Sequence, residues 1–185
     1  KIRGIRSMQK ATQMTATKRL VLTAVNIALC LVLPMAFHSI PNGGKIMLPM
    51  HIPVLLCGMV CGAPYGAVCG LLGPMLSSVL TGMPTAALMP AMMVECAAYG
   101  LTTSLMLRLV RTGKTYADLY LSLVAAMLVG RLVSGVTKAL FFMAGQYTMQ
   151  AWIAASFVTA LPGIVLQLAV VPSIAYYLMR AGLIP

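Results

Sequence analysis

The sequence predicts an all-α integral membrane protein, a bundle of six transmembrane helices with both termini cytoplasmic, from three observations. Of the 185 residues, 61% are hydrophobic and only 8% are charged, a composition outside the range of soluble domains. The hydrophobic residues form six segments, each near the length of about 20 residues that a helix needs to cross a bilayer core. The basic residues, which give a formal net charge of +11, lie mostly in short runs beside these segments.

The chain divides into a basic cytoplasmic N-terminal tail, residues 1–19, and a single membrane domain, residues 20–185. The second and third apolar segments are short and rich in Gly and Pro, so we expect these two helices to be tilted, kinked or partly re-entrant. In chain order the six predicted segments are residues 20–37, 47–61, 65–80, 86–107, 120–143 and 151–178.

The distribution of Lys and Arg predicts the orientation. If the six helices alternate in direction, one side of the membrane receives the N-terminal tail, the connection between the fourth and fifth helices, and the C-terminus. These regions carry most of the basic residues, whereas the opposite side holds Lys45. Because Lys and Arg accumulate in cytoplasmic loops, we expect a multi-pass protein of the cell (plasma) membrane with both termini inside. The tail has no aromatic residues interleaved with its charges, so nucleic acid is not an expected partner.

No enzymatic activity is predicted, because the chain lacks the residues that catalysis needs. Its only carboxylates are Glu95 and Asp118, which leaves neither a convincing acid and base pair nor a carboxylate cage for a metal. The sequence contains no nucleophile elbow, no zinc-protease helix and no phosphate-binding P-loop. The five cysteines all lie in apolar segments, which predicts small buried side chains rather than disulfides or a cofactor site.

Three charged residues fall inside apolar segments, where a charge near the bilayer centre costs at least about 2.5–3.5 kcal/mol. Glu95 and Arg131 lie near the centres of the fourth and fifth segments. We expect them to form an ion pair that fixes the packing of the bundle, or else to contact a ligand. Lys138 follows Arg131 by two helical turns on the same face. With no acidic partner left for it, Lys138 either faces a cavity for an anion or a carbonyl oxygen, or snorkels to the outer interface.

Polar and aromatic residues near these charges are further candidates. Gln167 and Asn26 are flanked by aliphatic residues, which predicts hydrogen bonds between helices. Trp152 and Tyr147 lie at the outer edges of the sixth and fifth segments, where an aromatic belt is expected. A ring at the mouth of a polar cavity could instead stack on a flat ligand.

The connection between the first two segments predicts an outer lid. It is bracketed by His38 and His51 and contains the run PNGGK at residues 41–45, whose glycines permit movement. The two histidines leave a second option open, the binding of haem or a soft metal, although no recognised ligand spacing is present.

Several motifs together resemble those of the substrate-binding S components of energy-coupling factor (ECF) transporters. The resemblance covers nearly the whole chain from Thr17 onward, and it implies a small six-helix protein with cytoplasmic termini. The motifs that carry it are LPMHIPV at 48–54, the Gly-rich stretch 58–73, LTGMP at 80–84, MVECAAYG at 93–100 and LPGIVLQ at 161–167.

This resemblance implies a mechanism of uptake without a nucleotide site on the chain itself. The subunit captures a vitamin-like nutrient from outside, rotates in the membrane while docked to a coupling membrane subunit, and releases the nutrient inward as two cytoplasmic ATPases turn over. In this family, small residues four positions apart on the first helix let the coupling subunit approach. Ala24 and Ala28 have that spacing here, and small residues permit close helix approach.

The identity of the nutrient stays open at this point. The excess of positive charge at Arg131 and Lys138 favours an anion such as pantothenate, a folate or a phosphorylated precursor. A neutral flat heterocycle such as a queuosine precursor would use Glu95, Gln167 and Trp152, and haem would use one of the two histidines. A membrane anchor or assembly protein is the alternative function, but it gives no reason for charges inside the membrane. The residues predicted to bind the substrate are Asn42, His51, Glu95, Tyr99, Arg131, Lys138, Trp152 and Gln167.

Overall fold

The computed structural model describes residues 14–36, 43–110, 112–142 and 148–182, and within these ranges the protein is helical and contains no strand. The all-α prediction is confirmed. Two π-helical segments, Lys138–Phe142 and Ala154–Thr159, accompany the α-helices. In chain order the α-helices are α1 (Ala16–Ala36), α2 (Gly43–Met47), α3 (His51–Cys61), α4 (Ala63–Thr81), α5 (Met89–Leu109), α6 (Thr115–Thr137), α7 (Met149–Ile153) and α8 (Leu161–Arg180).

In the described part of the chain, four helices are long and apolar enough to cross a membrane: α1, α4, α6 and α8. Helix α5 has 21 residues, but Glu95 and several hydroxyl side chains make it less apolar. Helix α3 has only 11 residues, and at 1.5 Å per residue it covers about 16 Å, roughly half of the hydrocarbon core. Four of the six predicted segments therefore contain a helix that is a candidate span by length and composition. The count of six spanning helices stays a prediction, and the second segment forms the short helix that its Gly and Pro content led us to expect.

Helix α3 lies at the centre of the bundle rather than at its surface. Ten of its 11 residues are buried, because α3 packs against α1, α4, α5 and α8. A helix that is hydrophobic on every side is expected in such a position. Its first residue, His51, is thereby carried into the interior of the protein.

Three glycines bring α3, α4 and α5 into direct backbone contact. A Cβ atom on Gly66 would lie 2.6 Å from the carbonyl oxygen of Gly100 and 2.7 Å from the Cα of Gly58, so a larger side chain has no room there. Small residues allow helices to approach this closely. The glycines therefore allow close packing. Their contact fixes the position of α5 at Gly100, which lies within two turns of Glu95.

A contact between helix ends shows that α6 and α8 run in opposite directions. Tyr116 stacks on Tyr176 with ring centroids 4.2 Å apart, which joins the start of α6 to the end of α8. We call this end of the bundle the Arg180 end and the opposite end the Lys138 end. Apart from Lys45 in α2, the described Lys and Arg residues outside the interior lie at the Arg180 end: Lys18, Arg19, Arg108, Lys114 and Arg180. This grouping is the one that the sequence predicts, and the cytoplasmic location of the Arg180 end stays a prediction.

The last predicted segment, residues 151–178, is divided in the structure. Helix α7 and the π-helical segment Ala154–Thr159 come first, and α8 begins at Leu161. Pro162 lies in the first turn of α8, where its fixed φ and missing N–H are tolerated, but it prevents one continuous helix from passing through this point. We call residues 148–159 the strap; none of its helical residues is buried.

Candidate functional site

Glu95 on α5 is the centre of a cluster of polar side chains inside the bundle. Ser134 on α6 donates a hydrogen bond of 2.6 Å to one carboxylate oxygen, and the Nζ of Lys138 lies 3.4 Å from the same oxygen. The other oxygen accepts from the hydroxyl of Tyr99 at 3.4 Å and lies 3.6 Å from the Nε2 of His51. We call these five residues the Glu95 cluster. Helices α3, α5 and α6 and the π-helical segment that begins at Lys138 contribute to it, so it also joins the bundle together.

The expected ion pair between Glu95 and Arg131 is wrong. Among the described residues, the side chains that bring a nitrogen within 4 Å of the Glu95 carboxylate are those of Lys138 and His51. The reason is the packing between α5 and α6: the ring of Tyr99 lies against the backbone of Gly130. The aromatic ring thereby occupies the interface beside Arg131, and Glu95 meets α6 one to two turns further along, at Ser134 and Lys138.

Lys138 is consequently not the unpaired lysine that the sequence predicts. Its ammonium group is paired with Glu95, and its side chain is 27% exposed. The expectation failed because it paired Glu95 with Arg131, which left Lys138 without an acidic partner. Among the described residues of this region, the charge without a carboxylate partner is instead that of Arg131.

Arg131 forms a second group, with residues of the strap. Its guanidinium donates to the carbonyl oxygen of Ser156 and lies over the ring of Phe157, with 5.6 Å between the guanidinium carbon and the ring centroid. In return, the indole Nε1 of Trp152 donates to the carbonyl oxygen of Arg131 at 3.2 Å. Arg131 is 4% exposed, so it is a buried cation held by a neutral carbonyl and an aromatic face. We call Arg131, Trp152, Ser156 and Phe157 the Arg131 group.

A cavity of about 160 Å³ lies between α6 and α8 beside the Arg131 group. Its wall combines the Arg131 side chain with six apolar residues: Val124, Met127, Leu128, Phe157, Ile164 and Leu168. A second cavity, of about 210 Å³, is lined by the last turns of α6 together with Trp152 and the start of the strap. No member of the Glu95 cluster lines either of these two cavities.

His51 is fully enclosed within the Glu95 cluster. It is 2% exposed, and neither ring nitrogen has a hydrogen-bond partner among the described residues. Its ring stands edge-on to the ring of Tyr99, with centroids 5.1 Å apart. The described residues contain no group of three or more His, Cys, Asp or Glu side chains that could hold a metal ion. His38, the other histidine of the haem or metal hypothesis, lies outside the described residues.

The remaining polar candidates have separate roles in the structure. Gln167 is 1% exposed and donates to the carbonyl oxygen of Leu48 at 3.5 Å; its partner therefore lies in the connection between α2 and α3, whereas the sequence predicts a partner in another helix. The same prediction is wrong for Asn26, whose side-chain amide donates to the carbonyl of Leu22 in its own helix. The five cysteines are buried, as predicted.

Trp152 does not simply face the interface as a belt residue. Its indole packs against the backbone of Gly135 on α6 and meets Phe157 edge-on, with ring centroids 5.7 Å apart. Two other predicted residues, Asn42 in the lid and Tyr147 in the belt, lie outside the described residues. Within the predicted lid, the structure describes the short helix α2.

Ala24 and Ala28 are both exposed on α1. The buried residues of this helix are Thr23, Asn26 and Cys30. At 100° per residue, the two alanines lie on nearly the opposite side from these buried residues. The face that the resemblance assigns to the coupling subunit is therefore directed away from the rest of the bundle.

Sequence reasoning missed three residues that complete the two groups: Ser134, Ser156 and Phe157. A signal for Ser134 was present, since it lies three residues after Arg131 and four before Lys138 and so shares their helical face. Ser156 contributes only its backbone carbonyl, which carries no sequence signal at all. Phe157 was recognisable as an aromatic residue, but its contact with Arg131 depends on the path of the strap.

Comparison with known proteins agrees with the resemblance. A family model described as the substrate-specific component of ECF transporters matches residues 18–175, a range that includes the Glu95 cluster and the Arg131 group. No curated protein and no solved structure matches the chain. Because the family match extends over most of the sequence, the chain belongs to the substrate-specific S components of ECF transporters.

Proposed function

We propose that this S component captures a small, acidic, vitamin-like nutrient at the plasma membrane and passes it inward together with a coupling membrane subunit and two cytoplasmic ATPases. Membership of the family supports the role in transport. The charged residues of this chain support an acidic class of nutrient. The observation that carries the proposal is Arg131, a buried cation that lines a cavity and has no carboxylate partner among the described residues.

The balance of charge at the two groups supports an anionic ligand. In the Glu95 cluster, the carboxylate of Glu95 is compensated by the ammonium of Lys138. Arg131 remains, and its partners, a carbonyl oxygen and a phenyl ring, carry no net charge. A buried guanidinium gains most from a carboxylate or phosphate, which can accept two parallel hydrogen bonds.

The alternative of a neutral flat heterocycle has less support from these contacts. Such a ligand would need the polar atoms of Glu95, Gln167 and Trp152. The Nε2 of Gln167 is engaged with Leu48, and the Nε1 of Trp152 is engaged with Arg131. The single indole donor of Trp152 would have to leave the Arg131 carbonyl before the heterocycle could use it, and leaving a buried partner unsatisfied costs about 1–3 kcal/mol.

The proposed face for the coupling subunit is the exposed side of α1 around Ala24 and Ala28. To test it, Ala28→Trp would be compared with Ala169→Trp, a change at an exposed alanine on α8. We expect Ala28→Trp to abolish co-purification with the coupling subunit, because the indole blocks close helix approach. Ala169→Trp should co-purify normally. Equal recovery of the complex with both variants would reject this face.

The class of nutrient is tested first by native mass spectrometry of the detergent-solubilised protein, which identifies any ligand retained through purification. The affinity of that ligand, or of pantothenate and folate as probes, is then measured with Arg131→Gln, Lys138→Ala and the exposed control Arg180→Gln. We expect the largest loss of affinity for Arg131→Gln, at least about 100-fold, the equivalent of a charge-assisted bidentate contact of about 3 kcal/mol. Undiminished affinity for an acidic ligand in both Arg131→Gln and Lys138→Ala would reject the anionic class.

The haem or metal hypothesis rests on the enclosed His51. A haem protein would give a Soret band after purification or after addition of haemin, and the band would be lost in His51→Ala. A membrane anchor or assembly protein would retain no small ligand and would not take up a nutrient when it is co-expressed with an ECF module. Either result would replace the proposed function.

A further inference from the structure

We propose that the strap, residues 148–159, is a gate to the cavity beside Arg131, and that an acidic ligand opens it by replacing the carbonyl oxygen of Ser156 at the guanidinium. This inference rests on the proposed function, since it takes the ligand to be the anionic nutrient. It also narrows the ligand class. Arg131 is the one charged residue among the described residues that line the cavity, and the lining surface is otherwise apolar, so the ligand is a carboxylate with a compact apolar body.

The strap is weakly packed compared with the helices on either side of it. None of its helical residues is buried, and Met149 and Val158 are both 68% exposed. Half of it is π-helical, a form that is rare in proteins and common at functional sites. Segments with few buried contacts open at low free energy cost, so this is the part of the described bundle best suited to move.

Three of the described contacts between the strap and α6 involve Arg131, beside the packing of Trp152 on Gly135. They are the guanidinium bond to the carbonyl of Ser156, the position of the guanidinium over Phe157, and the indole bond from Trp152 to the Arg131 carbonyl. Two of the three depend on the guanidinium. A ligand that binds the guanidinium therefore competes directly with the contacts that hold the strap in place.

Movement of the strap would also enlarge the cavity. Phe157 belongs to the strap and forms part of the cavity wall, whereas the other wall residues belong to α6 and α8. The cavity of about 160 Å³ is small beside the pockets of about 300–1,000 Å³ that hold typical small ligands. Displacement of Phe157 removes one wall, which gives a nutrient access to Arg131 from the Lys138 end.

The exchange of acceptors at Arg131 gives the opening its driving force. A carbonyl oxygen is a neutral acceptor, whereas a carboxylate forms charge-assisted hydrogen bonds that are about twice as strong and can be bidentate. The apolar wall keeps the local dielectric low, which strengthens the preference for the charged acceptor. A neutral ligand of the same shape offers no such advantage and is expected to leave the strap closed.

The gate itself is tested without any ligand by hydrogen–deuterium exchange of the purified protein. In Arg131→Gln we expect the strap amides to exchange at least about tenfold faster than in the wild type, because a charge-assisted bond is lost. Arg180→Gln, the same change at an exposed arginine, should leave the strap rates unchanged. Trp152→Phe removes only the indole donor and provides a milder variant if Arg131→Gln does not fold. Strap rates that match those of α8 and change in neither variant would overturn the gate.

The exchange of acceptors is tested with hexanoate, and with uncharged hexanamide as the matched control. Trp152 is the only tryptophan, so its fluorescence reports on the strap alone. We expect hexanoate to shift the Trp152 emission and to speed strap exchange in the wild type but not in Arg131→Gln, and hexanamide to do neither. An equal response to both compounds, or no response to either, would overturn the acceptor exchange.

These results separate the gate from the proposed function. If Arg131→Gln speeds exchange of the strap amides but the retained nutrient proves to be neutral, the anionic class of nutrient fails. The finding that Arg131 holds the strap closed would still stand. If an acidic nutrient loses its affinity in Arg131→Gln but the strap rates do not change, the proposed function stands and the gate fails.

Discussion

The pairing of Glu95 with Lys138 rather than with Arg131 gives the sharpest test of the structure. We consider Glu95→Gln and Lys138→Met, each alone and combined, and the parallel set with Arg131→Met. Removing one partner leaves a buried charge without compensation, whereas replacing both members of a buried pair is often nearly neutral. The double variant of Glu95 and Lys138 should therefore be more stable than the sum of its single variants predicts.

The size of this coupling follows from the geometry. At the separation of 3.4 Å between Lys138 and Glu95, two unit charges attract by about 5 kcal/mol at an effective dielectric constant of ~20. The Lys138 side chain is 27% exposed, so water screens part of this attraction, and the serine hydroxyl continues to stabilise the carboxylate when the lysine is removed. We expect a coupling energy of about 2 kcal/mol for Glu95 with Lys138 and less than about 0.5 kcal/mol for Glu95 with Arg131.

Both cycles can be measured as unfolding free energies of the purified protein in mixed micelles or bicelles, with helix content as the readout. Charge reversal offers a second route, since exchange of Glu95 and Lys138 should restore part of the stability that either reversal alone removes. A larger coupling for Glu95 with Arg131 than for Glu95 with Lys138 would refute the arrangement described here and would reinstate the pair that the sequence suggests.

Three further predictions concern the packing around this cluster. Gly66→Ala should destabilise the protein by about 1–3 kcal/mol through overpacking, whereas Gly44→Ala, with no atom within 4 Å of the added Cβ, should have little effect on the melting temperature. Ser134→Ala removes a hydrogen bond of 2.6 Å to the Glu95 carboxylate and should cost about 1.5–3 kcal/mol. Ser173→Ala, where the hydroxyl bonds only to its own helix, should cost less than half of that in the same unfolding assay. The five cysteines are buried, so they should react with a small maleimide only after denaturation, and rapid labelling of the folded protein would contradict the packing of the core.

Much of the fold was predictable because hydrophobic segment length is a local property. The spans of α1, α4, α6 and α8 followed from runs of apolar residues, and the grouping of basic residues at the Arg180 end followed from their positions between those runs. The short helix α3 was not predictable in the same way. Its apolar run includes Met47 and Leu48, but the chain breaks between α2 and α3, and only its neighbours reveal that it is a buried core helix.

The candidate site was predicted as a set of residue types and not as a set of partners. Glu95, Arg131 and Lys138 were identifiable because charges are costly in a membrane. The ring of Tyr99 occupies the interface beside Arg131, and it therefore determines which basic residue pairs with Glu95. Because the ring is uncharged, counting charged residues in the sequence could not predict its effect. The backbone carbonyl of Ser156 became a partner only through the course of the strap.

The sequence alone determined that this chain is a helical membrane protein with its charges divided between one end and a few interior positions, because hydrophobicity and charge act residue by residue. The tertiary structure decided which interior charges neutralise one another and which one is left beside a cavity. That decision depends on distances of a few ångströms between side chains from different helices, and such distances arise only when glycine contacts and aromatic rings set how closely the helices approach.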